Sequence, residues 1–194
     1  MKKQTLVSTI AVLISLLMVP IADAQLSPEY AEWDEGPAGF LLTKKEKKEW
    51  KGIKTDAAAK EFIDLFWARR NPSPETTFNS FKADFDAIVE YSDENFGYGN
   101  RRGALTARAK VLMLMGKPAN RQIEGPAQTG PVRAGQGADA DTPDGGSEIW
   151  AYDPAELSPK FKVKGSRLIF VFYEERLGSN IFVLDRTNRE AVKA

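Results

Sequence analysis

Apolar residues in the first half of the chain recur every three or four positions, which is the period of an amphipathic helix. This pattern predicts helices at 55–70 and 74–95, and a shorter, mostly solvated helix at 44–54. The shorter helix follows Thr43, which stands three residues before Glu46 in the spacing of a capping box. The helix at 74–95 carries the longest apolar stripe, which we expect to pack in the core. The stripe consists of Phe78, Phe81, Phe85, Ile88 and Val89.

After Gly103 the apolar residues form short runs, which are typical of strands. Strands are predicted at 111–115, 120–124, 148–152, 167–173 and 181–184. The run at 167–173 is apolar on both faces, so we expect a central strand that is covered on both sides. In the run at 148–152, Trp150 and Tyr152 share one face. Because the helices precede the strands, the predicted fold class is α+β, with N-terminal helices packed on an antiparallel β-sheet of about four to five strands.

Residues 1–24 have the order of parts of a secretory signal peptide. Lys2 and Lys3 precede an uncharged apolar run, and Ala22-Asp23-Ala24 supplies the small residues of a cleavage site. We expect cleavage after Ala24 and a periplasmic or secreted protein, with no stable membrane anchor after signal cleavage. An uncleaved N-terminal anchor is the alternative.

The rest of the chain is predicted to form an N-terminal arm at 25–43 and one domain at 44–194. Within the domain we expect a flexible loop at 125–147, because this stretch is rich in glycine and proline and poor in apolar residues. The aspartates of this loop, Asp139, Asp141 and Asp144, lack the spacing of an EF-hand. They therefore do not predict a metal site.

The chain contains no cysteine and no histidine. Their absence excludes a disulfide framework, a structural zinc site of any familiar form, and the serine and cysteine hydrolases that use an imidazole base. Lys and Arg balance Asp and Glu at 27 each, which argues against nucleic acid as a partner. We predict no cofactor and no metal.

Carboxylates remain as possible acid–base groups, since they need no histidine. The adjacent pairs are Glu174 with Glu175, and Asp84 with Asp86. Neighbouring residues of a strand point to opposite faces, and helical residues two apart do not face each other. Solvated surface charge is therefore the favoured interpretation of both pairs.

Trp67, Arg69 and Arg70 stand at the end of the helix at 55–70, before Asn71-Pro72. A tryptophan and two arginines at such a position can form a cation–π contact or donate to the last helical carbonyls. A structural clamp between this helix and the next one explains them without a ligand, and it is the interpretation that we favour.

Several segments together resemble the GWxTD domain family. Phe66–Pro74 is similar to that family's phenylalanine-tryptophan-x-x-arginine-aspartate-proline stretch, and Gly103–Val111, Gly116-Lys117-Pro118 and Glu148–Tyr152 follow in the family's order. The chain keeps Gly103 and Thr106 of the name-giving motif, but it has Ala104 for the tryptophan, Ala107 for the aspartate, and Asn71 for the aspartate before proline. The resemblance implies an exported bacterial α+β domain and supplies no substrate.

These observations predict a non-catalytic exported module that binds a protein or peptide partner in the cell envelope. The alternative is a carboxylate-dependent hydrolase acting on an envelope polymer. A third possibility is a ligand pocket between the phenylalanine-rich helix and the sheet, near Trp67, Arg70 and Trp150. The candidate ligand- or partner-binding residues are Trp67, Arg69, Arg70, Asn71, Thr106, Arg108 and Trp150.

Overall fold

A computed structural model of the chain describes residues 26–125, 145–155, 157, 167–186 and 188. These residues form helices that precede a four-stranded antiparallel sheet, so the predicted α+β fold class is confirmed. The predicted signal peptide, most of the predicted loop at 125–147 and its three aspartates lie outside the described residues.

Helices and strands follow each other in separate blocks along the described chain. The helices are α1 (Pro28–Ala31), α2 (Lys44–Gly52), α3 (Asp56–Ala68), α4 (Ser80–Phe96) and α5 (Ala107–Met115). The strands are β1 (Asn120–Glu124), β2 (Ser147–Tyr152), β3 (Leu168–Glu174) and β4 (Phe182–Leu184). They lie in the order β1-β2-β3-β4, and each pairs with its neighbour in antiparallel orientation.

Side-chain caps fix where the first long helices begin. The backbone N–H of Glu46 donates to Thr43 Oγ1, and the N–H of Thr43 donates to the Glu46 carboxylate at 2.9 Å, so the predicted capping box is present. Thr55 caps α3 in the same way, by accepting from the N–H of Ala58. Helix α4 begins at Ser80 rather than at Pro74, because the Asn79 side chain accepts from the N–H of Lys82.

This later start of α4 changes part of the predicted apolar stripe. Phe78 precedes the helix and is 66% exposed, and Phe81 is also exposed. Phe85 is buried, and Ile88 and Val89 pack against the core. The stripe therefore enters the core only from Phe85 onwards.

The predicted strand at 111–115 is wrong, because these residues are the second half of helix α5. Thr106 caps this helix by accepting from the N–H of Ala109, and Gly116 ends it with a φ of 80°. The run is apolar all round because the helix is enclosed, with Val111, Leu112 and Met113 all buried. A short apolar run does not distinguish a buried strand from a buried helix. Strand β1 consequently pairs with β2 and not with this segment.

The core lies between α4, α5 and one face of the sheet. The inward side chains of the two central strands are large and buried, and they alternate with outward ones, as predicted for Trp150 and Tyr152. Strand β3 is central, but its outer face is not buried: Ile169 is 44% exposed and Tyr173 36%. The expectation of cover on both sides is wrong for the described residues, because α4 and α5 pack on the other face.

Trp33 is one of the residues through which the N-terminal arm packs on the helices. Trp33 contacts Trp50 of α2 at 4.8 Å between ring centres, and Phe62 and Phe66 of α3 at 5.9 and 5.1 Å. The arm therefore extends the core beyond the sheet and joins α2 to α3.

Gly103 permits the close approach of the α4–α5 connection to α4. A Cβ at this position would lie 1.8 Å from the backbone oxygen of Ser92, so even alanine has no room. We predict that Gly103→Ala lowers the free energy of unfolding by about 3 kcal/mol through overpacking. Urea denaturation measures the loss. Gly52→Ala is the control, since nothing lies within 4 Å of its Cβ, and it should change stability by less than about 1 kcal/mol.

Candidate functional site

A buried arginine of α5 and a buried glutamate of β2 form the centre of the site. Arg108 and Glu148 have side chains that are 4% and 1% exposed, and Arg108 Nη1 donates to Glu148 Oε2 at 3.2 Å. The first turn of α5 and the inner face of β2 place the two groups opposite each other. Burial lowers the pKa of Arg108, and the charge and hydrogen bond of Glu148 oppose this effect.

The Arg108 guanidinium is held from three further directions. Its Nη2 donates to Asn180 Oδ1 at 2.7 Å. The central carbon of the guanidinium, Cζ, lies 4.5 Å from the ring centre of Phe96 and 4.1 Å from that of Phe182. Asn180 also donates from Nδ2 to the carbonyl of Gly97 at 3.0 Å, at the end of α4. Arg108 thereby ties α5 to α4, to β2 and to the β3–β4 turn.

Glu148 accepts hydrogen bonds on both carboxylate oxygens. Oε2 accepts from Arg108, while Oε1 accepts from Arg121 Nε and from Trp150 Nε1, the latter at 2.5 Å. Partial burial lowers the pKa of Arg121, but the hydrogen bond and charge of Glu148 outweigh this and raise it. Arg121 Nη1 also donates to the Tyr91 hydroxyl at 3.3 Å. One buried carboxylate thus positions side chains from α5, β1 and β2.

Arg121 and Trp150 also line a pocket of about 480 Å³, which we name the α4–β1 pocket. Its walls are mostly apolar, with the cations Lys117 and Arg121 and the hydroxyl-bearing Tyr91 among them. The lining residues are Ala87, Ile88, Tyr91, Phe96, Leu112, Lys117, Pro118, Arg121 and Trp150. This is a size and character typical of ligand pockets.

A second carboxylate lies on the inner face of the sheet. Glu174 is 8% exposed, and its Oε1 accepts from the N–H of Asn180 at 2.9 Å. The neighbouring Glu175, which follows the end of β3, is exposed. Glu174 therefore supports the β3–β4 turn, and it does not pair with Glu175. Within the described residues, no group of three or more acidic side chains could hold a metal.

Arg70 forms a clamp, but to the preceding helix rather than the next one. Its Nη1 and Nη2 donate to the two oxygens of Glu46 in α2, each at 2.9 Å. They also donate to the carbonyls of Phe66 and Leu41 at 3.0 Å, and the guanidinium lies 3.7 Å from the Phe66 ring centre. The arginine therefore joins α2, α3 and the arm.

The residues beside Arg70 are separate from the α4–β1 pocket. Trp67 packs on Phe85 at 5.1 Å and lines another, more polar depression between the arm, α3 and α4. Asn71 Oδ1 accepts from the N–H of Ser73 and so braces the turn, and Arg69 is exposed.

The predicted site residues thus lie in two separate places, at the end of α3 and around Glu148. Arg108 and Trp150 meet at Glu148, and Thr106 caps the helix that carries Arg108. A pocket lies between α4 and the sheet beside Trp150, as the third possibility expects, but Trp67 and Arg70 do not line it.

Sequence reasoning missed Glu148, Arg121 and Asn180. The expectation of solvated surface charge is wrong for Glu174, which is buried because it lies on the inner face of β3. A signal for Glu148 was present, because the alternation that turns Trp150 and Tyr152 inward also turns Glu148 inward. Such an inward charge needs a buried cation as partner.

In the comparisons with known proteins, no family model matches the chain, and no match is found among curated proteins or solved structures. The resemblance to the GWxTD domain therefore stays a prediction.

The Arg70–Glu46 pair predicts a dependence of stability on pH. Burial raises the pKa of Glu46, but hydrogen bonds from Arg70 and Thr43 together lower it from 4.5 to about 2. Because the folded-state pKa is depressed, the stabilisation is complete above pH 4.5 and is lost as the pH falls towards 2. It amounts to about 3 kcal/mol.

We predict that Glu46→Gln removes this part of the loss of stability between pH 5 and pH 3. Urea denaturation at successive pH values measures it, with Glu61→Gln on the exposed side of α3 as the control. Parallel pH profiles for wild type and Glu46→Gln would contradict the prediction.

Removing the charge of Glu148 should leave Arg108 buried and unpaired. We predict that Glu148→Gln lowers the free energy of unfolding by about 3–5 kcal/mol, as measured by chemical denaturation. Glu175→Gln is the control on an exposed glutamate directly after β3 and should stay within about 0.5 kcal/mol of wild type. Equal losses in the free energy of unfolding for Glu148→Gln and Glu175→Gln would contradict a stabilising role of the buried pair.

Proposed function

We propose that this chain is a non-catalytic, exported module of the cell envelope that binds a protein or peptide partner through the α4–β1 pocket. The pocket is the observation that carries the proposal. Its apolar walls and volume of about 480 Å³ suit one or two large apolar side chains of a partner.

The positive charges at the pocket favour a partner segment that carries an acidic group. Lys117 is exposed, and the Arg121 side chain remains 38% exposed after its contacts with Glu148 and Tyr91. An acidic group beside the inserted side chain would meet both cations. We therefore expect the bound segment to combine an apolar residue with an aspartate or glutamate.

The buried pair supports a binding role because it fixes the pocket wall before a partner arrives. Arg121 and Trp150 both donate to Oε1 of Glu148, so both wall residues are held in place. A wall that is ordered in advance loses less conformational entropy on binding.

The carboxylate-dependent hydrolase is less well supported by this geometry. Glu148 and Glu174 are the buried carboxylates of the inner sheet face, and each already accepts hydrogen bonds from the protein. Neither lines the α4–β1 pocket. A general acid or base must reach the proton that it transfers.

Export is proposed on the pattern of residues 1–24 alone. None of the helices among the described residues has the length and apolar character that a membrane span requires.

Filling the pocket tests the proposed function. Ala87 is an exposed residue of α4 that lines the pocket, so Ala87→Phe should occupy it without disturbing the core. Ala83→Phe, one turn earlier on the same helix, is the matched control, because Ala83 is exposed and does not line the pocket. The probe is a peptide selected on the wild-type protein from a random library displayed on phage.

We expect the selected peptide to lose about tenfold or more in affinity for Ala87→Phe and to bind Ala83→Phe as it binds wild type, as measured by calorimetry. A library that yields no specific peptide, or equal losses for both variants, would overturn the proposed function.

A further inference from the structure

We infer that the partner segment binds in an extended conformation and adds to β1 as a fifth strand, with an apolar side chain in the α4–β1 pocket and an acidic one beside Arg121 and Lys117. This inference rests on the proposed function and specifies how the partner is held. Its basis is the geometry of β1, which is the edge strand of the sheet beside the pocket.

The hydrogen-bonding pattern between β2 and β3 determines which residues of β2 turn their backbone groups towards β1. The N–H of Glu174 donates to the carbonyl of Gly146 at 2.9 Å, one position outside the pair Ser147↔Tyr173. In an antiparallel ladder this marks Ser147↔Tyr173 as a pair that does not share hydrogen bonds. Ser147 therefore turns its backbone groups towards β1, and so does every second residue after it, Ile149 and Ala151.

The same parity fixes which groups of β1 are free to bind. Ile149 pairs with Gln122 and Ala151 with Asn120, so the even-numbered residues of β1 turn their backbone groups towards β2. Arg121 and Ile123 must then turn their N–H and C=O groups away from β2, to the open edge. These four groups match the alternating donors and acceptors of an added strand.

The edge is accessible within the described residues. All five residues of β1 are exposed, and Ile123 is 69% exposed although it shares the inner face with Arg121. An exposed edge strand with an apolar side chain is a template for another strand unless it is covered. The side chain of Arg121 does not shield this edge, because Glu148 and Tyr91 hold it.

The pocket and the edge are joined by one residue. Arg121 lines the pocket with its side chain and offers its backbone groups to an added strand. Side chains two apart on the added strand lie on one face, so an apolar and an acidic residue at this spacing would both face α4. The adjoining cations favour an acidic peptide over a second copy of this chain, which would bring the same cations with it.

Two changes at one position test strand addition. Ile123→Pro removes the outward N–H, and proline is tolerated on an edge strand where the N–H faces solvent. Ile123→Ala removes the side chain and keeps the N–H. For a phage-selected peptide, we expect Ile123→Pro to bind about tenfold more weakly than Ile123→Ala, with thermal unfolding as the check that both variants fold.

Amide hydrogen exchange on the wild-type protein gives a test that needs no variant. In the free protein, the amide of Gln122 should exchange slowly, and those of Arg121 and Ile123 quickly. Saturation with the selected peptide should protect Arg121 and Ile123. N-methyl groups are then placed one at a time along the peptide backbone. Only those at every second residue should abolish binding, because only these residues would turn their N–H groups towards β1.

Four other outcomes would each contradict strand addition, and each points to a different cause. If the peptide binds and Ala87→Phe blocks it, but Arg121 and Ile123 stay unprotected, strand addition is wrong and the proposed function stands. Protection in the free protein at all concentrations would show that the chain's own residues occupy the edge. Protection that rises with protein concentration would show a second copy there. If no peptide is selected, both proposals fail.

Discussion

The ion pair between Arg108 and Glu148 is the contact on which the arrangement of helices and sheet depends. Each charge is costly to bury, and hydrogen bonds to both groups offset the cost, although Arg108 Nε has no hydrogen-bond partner among the described residues. The apolar contacts of α5 alone would tolerate a slide or rotation of the helix, since its buried residues other than Arg108 are all apolar. A buried charge does not, because a shift of one turn would separate Arg108 from both Glu148 and Asn180. We regard the pair as the element that fixes the position of α5 on β2.

This constraint extends from the core to the surface. Trp150 and Arg121 share one oxygen of Glu148, and Arg121 reaches the hydroxyl of Tyr91 on α4. A residue that is 1% exposed therefore sets the shape of a pocket wall and the direction of an edge-strand side chain. Stability and the proposed binding therefore share one carboxylate in this chain.

Local signals in the sequence were sufficient for part of this arrangement. The capping box at Thr43 and Glu46 and the alternation in β2 depend on residues a few positions apart, and the structure confirms both. The strand predicted at 111–115 is wrong because the last five residues of α5 are all apolar, so this run shows no helical period. The partners Arg108 and Glu148 are 40 positions apart, and no local pattern connects them. Even so, the inward position of Glu148 followed from the same alternation that placed Trp150.

The geometry of the edge also limits how strongly a partner can be held. Hydrogen bonds contribute about 1 kcal/mol each, and a buried large apolar side chain contributes about 2–3 kcal/mol. Association costs at least about 4 kcal/mol in lost freedom of motion. The four outward groups and one apolar side chain therefore leave only about 2–3 kcal/mol, so one added strand on a five-residue edge binds at about millimolar affinity or more weakly unless the partner makes further contacts. Binding of this strength suits a partner that is held nearby or that makes several contacts at once, because effective concentration then replaces affinity. The two cations beside the pocket contribute mainly to the rate of encounter and to the choice of an acidic segment.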